Sequence, residues 1–188
     1  MNYKMREFER PGRENTEAAL EIARDAAARH DARHVLVASV TGYTASRALD
    51  IIGPEKLVIV THAYGFYEPN VDEMDPAVRE KLVEAGVPIV TAAHTFAGLA
   101  RAVRRQFKTY LVEDIVASTL RTVCEGFKVA FELACMCCDA GIVKSGERVL
   151  CVAGTAEGAD TVVMMRAANS HSFFDTRVEA ILAKPRLA

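Results

Sequence analysis

The sequence has no long apolar run: no stretch approaches the roughly 18 uninterrupted apolar residues that a membrane-spanning helix needs. Residues 1–15, MNYKMREFERPGREN, also lack the apolar segment of a secretory signal peptide. Neither sign of charge dominates, since the net charge is −2. We therefore expect a soluble, cytoplasmic protein with no membrane partner and no general affinity for nucleic acid.

The cysteines are also not even in number, as a fully paired set of disulfides would require. The five cysteines are an odd number, which, without a signal peptide, argues against a disulfide framework. Cys135 and Cys138 have the C-x₂-C spacing of zinc sites, but a second pair is absent. We predict no metal site, and buried thiols on a helix explain the cluster more simply. The role of Cys135, Cys137 and Cys138 stays open.

Familiar catalytic and nucleotide-binding motifs are absent as well. There is no G-x-G-x-x-G, and the glycines of residues 154–161, GTAEGADT, lie too close together for a P-loop and lack its lysine. The nucleophile elbow G-x-S-x-G is missing. These motifs therefore identify no reaction.

What the sequence does contain is globular composition and a regular alternation of strand and helix signals. The 188 residues, of which 51% are hydrophobic and 26% charged, fit one domain over residues 1–188. Continuously apolar strands separated by helices predict an α/β fold with a mainly parallel sheet. The five predicted strands are 34–40, 56–61, 87–92, 147–154 and 160–167. The last two are joined by a loop too short for a crossover helix, so we expect them to be antiparallel.

Helix signals fill the intervals between these strands. Asn15, Asp75 and Thr95 are predicted helix caps, and a long helical region is predicted over Asp114–Ala140 with Gly126 as a kink or break. The tail, residues 173–186, predicts a short helix or an irregular closing segment.

The stretch VLVASVTGYTASRAL, residues 35–49, joins the first strand to a helix through hydroxyl residues and one glycine. The unpaired amides and the dipole of a helix N-terminus bind anions, and Thr41, Thr44 and Ser46 can add hydroxyl donors. The same residues also make ordinary caps and turns, with Thr44 as the cap and Gly42 as the turn. Both interpretations stay open at this point.

Two further loops follow predicted strands. Residues 61–70, THAYGFYEPN, place His62, Tyr64 and Phe66 around Gly65, where rings can stack on a flat ligand or pack as a hydrophobic plug. His94 follows the third strand. Ligands in open parallel sheets lie beyond the carboxyl ends of strands, so these loops and the glycine loop 154–161 can share one ligand. Asp160 either accepts hydrogen bonds from its own loop's amides or contacts that ligand.

The order of these parts resembles the C-terminal α/β domain of pyruvate kinase, over roughly residues 15–168. The matching pieces are Ser39–Ala45, where that domain has a hydroxyl-and-glycine turn opening a helix, and Gly146–Gly154, with Glu147 in place of an aspartate. The kinase performs its chemistry in a separate barrel for which this chain has no room. The chain is therefore similar to the stand-alone family of pyruvate-kinase C-terminal-domain-like proteins, known mainly from archaea.

The resemblance implies a three-layer α/β/α sandwich with five strands in the order 3-2-1-4-5, the last antiparallel. It also implies flavin mononucleotide (FMN) as the ligand. Thr41, Gly42, Thr44, Ala45 and Ser46 would hold its phosphate, and Gly154, Thr155 and Ala156 would line the other side. From their chemistry we place His62, Tyr64, Gly65 and Phe66 against the flavin ring.

Three functions are left open by the sequence. The first is a binding protein for a phosphorylated small molecule, above all FMN, without pyruvate kinase activity. The second is a flavin-dependent oxidoreductase, and the third a sugar-phosphate-sensing regulatory domain that acts through a partner or through assembly of several copies of the chain.

Overall fold

The computed structural model describes residues 4–187, so residues 1–3 and 188 of the predicted 1–188 domain lie outside the described part. Within that part the chain forms the expected α/β/α sandwich, with six α-helices and one seven-stranded sheet. The strands are β1 (Arg6–Phe8), β2 (His34–Ala38), β3 (Leu57–Val60), β4 (Ile89–Val90), β5 (Arg148–Ala153), β6 (Thr161–Arg166) and β7 (Arg177–Pro185).

The order of the strands across the sheet is β1-β7-β6-β5-β2-β3-β4. The five predicted strands are β2 to β6, and they lie in the predicted order. β2 pairs in parallel with both β3 and β5, whereas β5 and β6 are antiparallel as expected.

The sheet has two more strands than predicted. Residues 170–175 form a short 3-10 helix, but residues 177–185 form β7, antiparallel to β6, and β1 then pairs in parallel with β7. The prediction of a helical or irregular tail was therefore wrong for most of its length. Local pattern did not identify β7 because only part of it is buried; its pairing is set by the open edge of β6.

The helices are α1 (Thr16–Arg29), α2 (Tyr43–Ile52), α3 (Pro76–Glu84), α4 (Gly98–Phe107), α5 (Val112–Arg121) and α6 (Glu125–Asp139). Asp75 caps α3 as predicted, accepting a hydrogen bond from the Ala77 amide at 2.8 Å. Thr95 does not cap α4, which begins only at Gly98. No helix within residues 4–187 combines the length and apolarity needed to cross a membrane.

The predicted long helix over 114–140 is two helices. Between α5 and α6 the amides of Thr122 and Val123 donate to the carbonyls of Thr119 and Leu120, the i to i−3 bonds of a tight turn. The break therefore comes before Gly126, which lies inside α6. Because of it, α6 runs as a separate helix across the middle of the sheet.

The core has two halves, one on each face of the sheet. Val35 and Val37 of β2 face the half formed with α1, α2 and α3, whereas Leu36 faces the half formed with α5 and α6. This period of two, repeated in β3, β5 and β6, explains the unbroken apolar strands, because both faces are covered.

Gly42 and Gly86 test what the turn before α2 requires. Both have positive φ, +101° and +74°, but a Cβ on Gly42 would lie 2.9 Å from Val78 Cγ1, whereas a Cβ on Gly86, just after α3, would have open space. We expect Gly86→Ala to lower the free energy of unfolding by about 1 kcal/mol through backbone strain alone. Gly42→Ala should lose about 2 kcal/mol or more, because crowding adds to the strain. Urea unfolding measures both losses, and equal losses would show that the approach to Val78 costs nothing.

Candidate ligand-binding site

A cavity of about 570 Å³ lies at the carboxyl ends of the parallel strands. The chain runs from β2 outward to β3 and β4 and then returns to β5 on the other side of β2, so the strand order reverses at β2. Such a switch point leaves a crevice beyond the strand ends, where ligands bind in open α/β sheets. We call this space the strand-end cavity. It is lined by residues from 38–44, 60–67 and 154–158, by His94, by Arg121 at the end of α5, and by one face of α6.

The α2 N-terminus forms one side of the cavity. Gly42 adopts the left-handed conformation immediately before α2 and packs against Val78, so its role is to make the turn. The Ser39 hydroxyl, not that of Thr44, satisfies a first-turn amide, accepting from Ala45 N at 3.1 Å. The amides of Tyr43 and Thr44 have no acceptor among residues 4–187, as expected for the first turn of a helix.

Of the five residues predicted to hold a phosphate, two line the cavity and three do not. Thr41 and Thr44 line the strand-end cavity. The Thr44 side chain is buried at the wall of this cavity. Ala45 is fully buried in the core, and Gly42, Ala45 and Ser46 are not part of the lining. Thr44 is thus the aliphatic hydroxyl residue of α2 that lines the cavity, and Tyr43 lines it as well.

Four rings from two loops form an aromatic cluster: His62, Phe66, Tyr67 and His94. Phe66 stacks on His94 with centroids 4.9 Å apart and lies 4.1 Å from His62, and the Arg101 guanidinium covers Phe66 at 3.9 Å. All four rings line the strand-end cavity. The predicted loop therefore contributes a packed aromatic wall to the cavity. Tyr64 and Gly65 are not part of it, because they line a separate, shallower depression beside α4, where Tyr64 is 62% exposed.

Glu73 holds this loop in place. Its carboxylate lies 3.2 Å from His62 Nδ1 and accepts the Tyr67 amide at 3.3 Å. Burial lowers the pKa of His62, against the opposing effect of Glu73. Burial, with the nearby His62, Lys128 and Arg101, lowers the pKa of His94 to about 4. Both imidazoles are therefore neutral at pH 7, and a neutral ring can stack on or hydrogen-bond a ligand without a net charge.

The glycine loop contributes its backbone to the opposite side. Gly154 and Ala156 line the cavity, whereas Thr155 does not. Asp160 is fully buried away from the cavity, where its carboxylate accepts from the amides of Gly12 and Thr155 and from the Thr161 hydroxyl. Of the two roles left open for Asp160, the structure thus places it as an organiser of its own loop.

The strand-end cavity also contains charged residues that sequence reasoning missed. Arg121 and Glu125 form an ion pair at 2.6 Å, and Lys128 and Glu132 form a second, buried pair further along α6. Glu132 also accepts the Phe96 amide. A signal was available, since Lys128 and Glu132 are spaced i, i+4 in the otherwise apolar run GFKVAFELACMCC. Charged residues in such an apolar run belong either to a buried ion pair or to a ligand-binding site.

None of the five cysteines lines the strand-end cavity. All five are buried and free, and burial raises the pKa of Cys135 and Cys137 to about 12 and that of Cys138 to about 11. Thiols with such pKa values are protonated at neutral pH and are poor nucleophiles and metal ligands. Within residues 4–187, no group of three or more His, Cys, Asp or Glu side chains is arranged to hold a metal ion.

Comparison with known proteins gives one match to a protein family. The family model described as pyruvate kinase, alpha/beta domain, matches residues 17–166. Among solved structures, a pyruvate kinase from Cryptosporidium parvum is 12% identical with a TM-score of 0.39, and the same organism's enzyme in complex with ADP is 13% identical with a TM-score of 0.41. Each match covers 81% of this chain but 22% and 23% of the kinase, so the chain spans less than a quarter of their length.

The lowered pKa of His94 predicts acid sensitivity. The pKa of His94 is about 4 in the folded protein and near 6.5 in the unfolded chain. Between pH 4 and pH 6.5 the unfolded state therefore binds more protons than the folded state. Stability is therefore full above about pH 6.5 and falls as the pH drops towards 4. His94→Gln should reduce the loss between pH 7 and pH 4.5 by on the order of 1–2 kcal/mol, measured by urea unfolding.

His171→Gln is the matched control, because it removes an exposed imidazole from the 3-10 helix. It should retain the wild-type pH dependence. An unchanged slope in His94→Gln would contradict the burial of a neutral His94.

Proposed function

The chain belongs to the pyruvate kinase alpha/beta domain family, and from that membership and the strand-end cavity we propose that it binds a phosphorylated, flat-ringed ligand, FMN. The observation that carries the proposal is that one cavity contains both the α2 N-terminus and the aromatic cluster. A phosphate and a ring joined by a short chain need these two features together. Pyruvate kinase activity is not part of the proposal, because the match is to the α/β domain alone.

The residues present fit FMN. The phosphate would lie at the first turn of α2, where unpaired amides meet the Thr41 and Thr44 side chains and the helix dipole adds positive character. The flavin ring would lie against the aromatic cluster, with the apolar residues Val129, Leu133 and Met136 of α6 also in the lining. The volume of about 570 Å³ falls within the range of roughly 300–1,000 Å³ typical of small-molecule sites.

The residues of this chain would bind and orient the ligand, while bound FMN would supply electron or hydride transfer. Two of the functions considered from the sequence, a binding protein and a flavin-dependent oxidoreductase, share this ligand. The aromatic cluster supports them over a sugar-phosphate sensor, because a flat ring system makes fuller use of four adjoining rings than a sugar does.

We expect the wild-type protein to bind FMN and to quench its fluorescence. Thr44→Val keeps the shape of the side chain but removes the hydroxyl that faces the cavity. The variant should bind FMN at least tenfold more weakly, since a hydrogen bond to a charged group contributes roughly 1.5–3 kcal/mol. Its stability should be nearly unchanged, because valine keeps the side-chain shape and Ser39, not Thr44, accepts the first-turn amide.

Ser46→Ala is the matched control. It removes a hydroxyl from the same helix at a position outside the cavity lining, and its FMN affinity should equal that of the wild type. Absence of quenching by the wild-type protein would overturn the proposal, and equal losses in both variants would contradict the placement of the phosphate.

A further inference from the structure

The Lys128–Glu132 pair is the least expected feature of the strand-end cavity. The Lys128 side chain is 9% exposed and that of Glu132 is 4%, yet both belong to the lining. Lys128 Nζ donates to Glu132 Oε2, and Glu132 Oε1 accepts the Phe96 amide. Lys128 Nζ also lies 5.7 Å from the centre of the Phe96 ring. An ammonium group has three protons and each carboxylate oxygen has two lone pairs, so both groups can form further hydrogen bonds with a ligand.

Stability alone is a poor explanation for this pair. Removing two charges from water costs more than their attraction commonly returns, and apolar replacements of similar volume are often neutral or stabilising. The pair also interrupts the apolar surface of α6, where the neighbouring residues Val129, Leu133 and Met136 contribute to the same lining. Its position is better explained by a ligand that needs a donor and an acceptor side by side.

The charges of the pair define that ligand's chemistry. Lysine only donates hydrogen bonds and carboxylate only accepts them, so adjacent ligand atoms must be an acceptor and a donor. Because the pair is neutral as a whole, it suits an uncharged polar edge and not a second anionic group. The aromatic cluster in the same cavity requires that this edge belong to a flat ring.

We propose that Lys128 and Glu132 recognise the imide edge of a heterocyclic ring, with Lys128 donating to a ring carbonyl and Glu132 accepting from the adjacent ring N–H. This inference rests on the proposed function and deepens it, because the pyrimidine-dione part of a flavin has such a carbonyl–NH–carbonyl edge. In this arrangement the buried pair selects the ring, and the N-terminus of α2 binds the phosphate. Ligands with the phosphate but without the imide N–H are then discriminated against.

The test compares FMN with N3-methyl-FMN, which keeps the phosphate and the ring faces but lacks the imide N–H. We expect the wild-type protein to bind FMN at least tenfold more tightly, because the methyl group removes the N–H that Glu132 would accept and places an apolar group against a buried carboxylate. In the double variant Lys128→Met/Glu132→Leu, the two affinities should agree within about twofold. Fluorescence titration measures the affinities, and thermal unfolding checks that the double variant is folded.

The double variant Asp50→Ala/Lys81→Ala is the matched control, because it removes a lysine–carboxylate pair on the surface between α2 and α3. It should keep the wild-type preference for FMN. Equal binding of both flavins by the wild-type protein, which needs no variant, overturns the inference and leaves FMN binding standing. A preference that persists in Lys128→Met/Glu132→Leu also overturns it, whereas failure of the wild-type protein to bind FMN at all overturns the proposed function as well.

Discussion

The parallel pairing of β2 with both β3 and β5 is the constraint on which the rest of the structure depends. It brings three strand ends to one edge of the sheet, with the loops that follow β2, β3 and β5 around them. The space left between them is the strand-end cavity. The α2 N-terminus, the loop after β3 and the glycine loop therefore converge although they are far apart in the sequence.

The second determinant is α6, which crosses the sheet beneath this cavity. Most of its residues are buried, so its charged residues are exceptions that need a local reason. Lys128 and Glu132 satisfy each other, and Glu132 also fixes the segment that carries Phe96 through its backbone amide. The same helix thus supplies the core with apolar side chains and the cavity with a fixed donor and acceptor.

Much of the fold could be predicted from the sequence, because continuously apolar strands and punctuated helices are local signals. The order of β2 to β6 came from the resemblance, and the antiparallel β6 from the shortness of its loop. The closing strand β7 could not be predicted, because its pairing is set by an edge far away in sequence. Within the site, loop composition and the family resemblance together located Thr41, Thr44, His62, Phe66, His94, Gly154 and Ala156 at the cavity. It could not show that Asp160 points into its own loop or that Lys128 and Glu132 of α6 face the cavity, since these depend on packing.

The central claim is that one cavity holds a phosphate at α2 and a ring at the aromatic cluster. Isothermal titration of the wild-type protein with FMN and with riboflavin, which has the same ring but no phosphate, tests it most directly. FMN should bind at least tenfold more tightly, because the phosphate gains charge-assisted hydrogen bonds at the helix N-terminus. Equal affinities for the two flavins would contradict the claim.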